Sequence, residues 1–150
     1  MKINISTLYI IILLTSLSSF AQEKEVNKCS VPKSNGGKYK IASESRLVGK
    51  SGEIILEIVI KPKNFTKEYM TEAAKRIRAE YCNDDVLYVS IFDSEKAIRG
   101  WHLDWMESKG KIDRRRGVYL LNKRTEEEII EFSTQPGNPI NEVKLTLQIK

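Results

Sequence analysis

The chain has 150 residues, 41% hydrophobic and 30% charged, with a formal net charge of +5. That length suits one domain around a single core. The absence of internal repeats, low-complexity tracts and later apolar runs near the roughly twenty residues of a bilayer span argues against a repeat array or a polytopic membrane chain.

Residues 1–21 read as a cleavable secretory signal: Lys2, an apolar run from Leu8 to Leu14, then the small residues of Ser19-Phe20-Ala21 before the cut. The working chain then starts at Gln22, is secreted or periplasmic, and keeps no transmembrane segment after cleavage. It has about 130 residues, a size that needs no second domain. Residues 22–38, with Pro32 and Ser34-Asn35-Gly36-Gly37, are expected to form an irregular arm, and residues 39–150 a single domain.

Alternation begins at Tyr39, with Tyr39, Ile41 and Leu47 on one side. From Gly52 to Lys61 it sets Ile54, Leu56, Ile58 and Ile60 against Glu53, Glu57 and Lys61. Two strands joined at Gly49 to Gly52 fit this, and Pro62 ends the second. A helix follows, capped by Asn64 or Thr66, with Tyr69, Met70, Ala73, Ile77 and Tyr81 at three- and four-residue steps. Glu72, Lys75, Arg76, Arg78 and Glu80 form its polar side, and Glu72 and Arg76 are spaced for an exposed pair. Asn83-Asp84-Asp85 stops the helix. Val86 to Phe92 then reads as a central strand covered on both faces.

Ser94 caps a second, weaker helix through about Ser108, with Ala97, Ile98, Trp101 and Trp105 along one stripe; Gly100 costs it about 1 kcal/mol, so a short helix followed by a loop fits equally well. Gly117 to Asn122 is a strand. Residues 127–132 fit either its hairpin partner or a helix of barely two turns, because Thr125 and Glu128 also match a capping box. Pro136-Gly137-Asn138-Pro139 is a loop before a final strand, Val143 to Ile149. The expected fold class is α+β: a mainly antiparallel sheet of about five to six strands, one principal helix packed on one face, and a second short helix.

Cys29 and Cys82 are the only thiols, and in an exported chain an even count favours a disulfide. It would tie the arm to the end of the first helix and contribute on the order of 4 kcal/mol in the chain-entropy model. His102 is the sole histidine; with Asp104, and with Arg99 as an anion-stabilising group, it is the weak catalytic candidate of a small extracytoplasmic hydrolase or transferase. Gly49-Lys50-Ser51 lacks the upstream glycine of a phosphate loop. One histidine and two distant cysteines do not make a zinc site, and no cofactor or metal is expected. Asn64-Phe65-Thr66 matches a glycosylation sequon that overlaps the helix cap.

Charge is concentrated at Lys109, Lys111, Arg114, Arg115 and Arg116, opposed only by Asp113. With Lys123 and Arg124 these residues form the expected ligand-binding surface, since arginine forks match carboxylate, sulfate and phosphate. The sequence therefore points to an exported, non-enzymatic binding domain. Its partner is an extracytoplasmic protein or an anionic polysaccharide, and not cytoplasmic nucleic acid.

Overall fold

The computed structural model describes residues 36–47, 52–108, 114–136, 138 and 140–148. Residues 1–21, read as a signal from the sequence, and Cys29, Lys109 and Lys111 lie outside them. Strands β1 (Lys40–Arg46) and β2 (Glu53–Val59) lead to a 3-10 turn (Pro62–Asn64) and helix α1 (Lys67–Glu80). Then come β3 (Val86–Phe92), helix α2 (Glu95–Ser108), β4 (Gly117–Asn122), β5 (Glu127–Phe132) and β6 (Val143–Thr146). The six strands form one sheet in chain order; only β2 and β3, joined through α1, run parallel. This is the α+β fold read from the sequence. Residues 127–132 take the strand alternative, because each of them pairs with a residue of β4.

Thr66 caps α1 through its hydroxyl, which accepts from the Tyr69 amide. The helix buries Met70, Ala73, Ala74 and Ile77 against Ile54, Leu56, Ile58, Leu87, Val89, Ile91, Tyr119, Leu121, Ile130 and Phe132, the inward set of four adjacent strands. Burying Ile77 alone is worth about 2 kcal/mol. The polar side is less simple than its spacing suggests. Glu72 pairs with Lys75 at 2.9 Å, whereas Arg76 donates to the Gly36 carbonyl at 3.3 Å. Arg78 turns inward to Glu128, which is fully buried and also accepts from the Tyr119 hydroxyl at 2.8 Å.

Helix α2 takes the longer alternative: it has 14 residues, as α1 does, and passes through Gly100, where an added Cβ would lie 3.0 Å from the Arg114 guanidinium. Two expectations change. Strand β3 is not covered on both faces, since Tyr88 is 45% exposed. The alternation of β1 is broken by an irregularity between Ile41 and Ser43 that leaves Ala42 out of the register, and the whole strand is exposed.

Helix α2 lies across the face opposite α1. Trp101 packs on Phe92 with ring centroids 5.7 Å apart, and Ile98 is buried, so the apolar stripe read from the sequence does serve as packing. The side chain of Trp105 is outside the described residues.

Two stability predictions follow from local geometry. Glu126, in the turn between β4 and β5, sits at φ 56°, a left-handed conformation that costs a side-chain-bearing residue about 1 kcal/mol. Glu126→Gly should raise the denaturant midpoint without changing the slope; an unchanged midpoint would refute the strain. Burial, reinforced by Glu128, pushes the Tyr119 phenol far above its ordinary value, and burial with a bond to Glu44 does the same to Tyr81. A raised folded pKa means this stabilisation is complete below the free phenol value near 10 and disappears as pH climbs through the folded value. Stability should hold to about pH 10 and fall steeply above it, with a shallower fall in Tyr119→Phe, checked by urea titration at each pH.

Candidate functional site

Among the described residues of the expected arginine-rich surface, Arg116 is built into the fold, while Arg114 and Arg124 are exposed. Arg116 is 4% exposed: it pairs with Asp93 at 3.1 Å, donates to the Ser133 carbonyl at 3.1 Å and lies over the Phe65 ring at 4.3 Å. A guanidinium so engaged supports the fold, a role the sequence reading did not give it. Lys123 donates to the Cys82 carbonyl at 2.6 Å, and Arg124 bridges Glu53 and Asp85 at 3.1 and 3.4 Å. Both lie where β2 and β3 start. Arg115 sits over Trp101 at 5.8 Å, and Arg114 is exposed beside Gly100.

His102 projects from α2 toward β2, its Nε2 lying 3.1 Å from the Glu57 carboxylate. Glu57 is the orienting acid that the sequence did not suggest, because it comes from a strand 45 residues away. The side chain of Asp104 is outside the described residues. Among the described residues, no group of three or more His, Cys, Asp or Glu side chains is placed to hold a metal ion, and no helix is long and apolar enough to cross a membrane.

A different site emerges where β1 begins, β2 ends and α1 begins. A cavity of about 480 Å³ opens there, within the usual range of ligand pockets. Its cations are Lys38, Lys40, Lys61 and Lys63; its walls include Tyr39, Tyr69 and Val59. The geometry follows from local structure. Antiparallel pairing sets Lys40 opposite Val59, so the tripeptides Lys38-Tyr39-Lys40 and Lys61-Pro62-Lys63 come to the same corner of the sheet. Gly37, at φ 67°, permits the approach: a Cβ there would fall 2.4 Å from the Ala73 amide nitrogen of α1.

The tyrosines are held in place. Tyr69 donates to the Lys38 carbonyl at 2.8 Å, and Tyr39 donates to Glu80. Burial and that carboxylate push the Tyr39 phenol up, so it stays a neutral donor. Lys40 pairs with Glu95 at 2.5 Å, and this ammonium holds the Glu95 carboxyl below the ordinary range. Among the described residues, Lys38, Lys61 and Lys63 have no carboxylate partner. The cavity can attract an anion and pack a ring.

The chain matches no protein-family model, no curated protein and no solved structure. The functional argument therefore rests on the geometry.

The structural role of Arg116 is directly testable. Arg116→Ala strands Asp93 and should cost about 3 kcal/mol in chemical denaturation, whereas Arg114→Ala should change stability by no more than about 0.5 kcal/mol. Equal effects would return Arg116 to the surface.

Proposed function

We propose that this chain is an exported, non-enzymatic domain that binds an anionic ligand in the cleft between β1, β2 and α1. The observation that carries this reading is the convergence of Lys38, Lys40, Lys61 and Lys63 on one cavity walled by two anchored tyrosines. Four exposed lysines around one cavity raise the local concentration of anions, and salt screens that attraction. Lysines are strongly hydrated point charges on mobile stems, suited to binding carboxylate, sulfate or phosphate without the fixed angles of a bidentate fork.

Export rests on the composition of residues 1–21. The Cys29–Cys82 bridge belongs to the same reading and would tether the arm that leads into Lys38. In this proposal the site shifts from the arginine-rich run to the lysines of the cleft, while the expected ligand class stays anionic.

A second reading, a hydrolase or transferase using His102, is favoured by the Glu57 contact alone. His102 does not line the lysine cleft.

Replacing Lys61 and Lys63 by Ala should release the protein from an anionic matrix at lower salt and weaken binding up to about tenfold, as loss of two partly exposed charge contacts allows. The charge-matched control Lys75→Ala/Lys96→Ala should shift elution less, and His102→Gln not at all. Identical elution of the cleft variant and its control would sink the proposal.

A further inference from the structure

We infer that the ligand is a linear anionic polysaccharide, bound across two adjoining subsites that meet at Lys40. This rests on the anion-binding reading above and extends it. The second cavity, about 270 Å³, lies between the β1 edge and α2 and is lined by Lys40, Ile41, Ala42, Glu95, Ile98 and Arg99. Lys40 is common to both cavities. The register break at Ala42 opens this wall, since an irregularity in an edge strand bends it away from flat pairing.

Three features select the ligand class. The cations are strung along a path from Lys61 and Lys63, past Lys40, to Arg99, as a polymer with one charge per repeat requires and a compact ion does not. Each cavity joins cations to apolar surface, Tyr39, Tyr69 and Val59 in one and Ile41, Ala42 and Ile98 in the other, which suits the C–H faces of sugar rings. Glu95 is the one carboxylate lining either cavity, and it occupies Lys40. A polymer spanning both subsites sets one carboxylate on Lys40 in place of Glu95, so Glu95 competes with the middle of the polymer and leaves its ends alone.

Calorimetry with oligogalacturonides of two and eight residues tests this, with a single-stranded octanucleotide as a polyanion lacking spaced sugar carboxylates. The octamer should bind at least tenfold tighter than the dimer. Arg99→Ala should erase most of that preference while sparing the dimer, and Glu95→Gln should tighten the octamer severalfold. Lys61→Ala/Lys63→Ala should weaken both. Equal affinity for dimer and octamer, or an Arg99→Ala variant that keeps the preference, overturns the two-subsite inference while leaving the cleft as an anion site. Stronger binding of the octanucleotide overturns the sugar assignment. If neither oligogalacturonide binds, the inference fails; if Lys61→Ala/Lys63→Ala also elutes with its control from the anionic matrix, the underlying reading fails with it.

Discussion

Everything in this domain is referred to the contact between α1 and the sheet. Met70, Ala73, Ala74 and Ile77 are fully buried, and the two alanines let the helix backbone come close. The same smallness admits the entering chain, because Gly37 passes where the Ala73 amide would collide with any side chain. That close passage places Tyr39 and Tyr69 at the edge of the core, with their rings packed against it and their hydroxyls tied to Glu80 and Lys38. The cleft is therefore a by-product of how tightly the arm crosses the helix.

The distribution of charge follows a related logic. A charge removed from water must find a partner, and the residues that do so here are consumed by the fold. Arg78 and Tyr119 satisfy Glu128 beneath α1, Arg116 and Asp93 meet near Phe65, and Arg124 ties Glu53 to Asp85. Once those pairs are made, a compact set of cations with few acidic neighbours is left at the corner where β1 starts. Arg116 is used by the fold, whereas Lys38, Lys61 and Lys63 of the cleft are not in ion pairs with described carboxylates.

Two faces of the sheet also divide the work. The α1 face is the core. On the opposite face α2 covers Phe92 and brings His102 to Glu57, while Ile55 and Tyr88, neighbours in the register of β2 and β3, remain 38% and 45% exposed. Alternation alone places Glu57 beside that exposed pair, on the face away from Leu56 and Ile58.

Period and punctuation, acting locally, made most of the elements legible in the amino-acid order: the alternation of Ile54, Leu56 and Ile58, the helical spacing from Met70 to Ile77, and Pro62 and Thr66 marking where one stops and the other starts. The same signals left residues 127–132 open, because strand and short helix cost nearly the same until β4 supplies hydrogen-bond partners. They also could not tell a buried arginine from an exposed one. Arg114, Arg115 and Arg116 are consecutive and chemically alike, yet only Arg116 meets Asp93, Ser133 and Phe65, which come from three other parts of the chain. The cleft had a trace in the sequence, two Lys-x-Lys tripeptides at the start of one expected strand and the end of the next. Its meaning waited on the pairing of Lys40 with Val59, because antiparallel register, and not proximity along the chain, brings those four ammonium groups together.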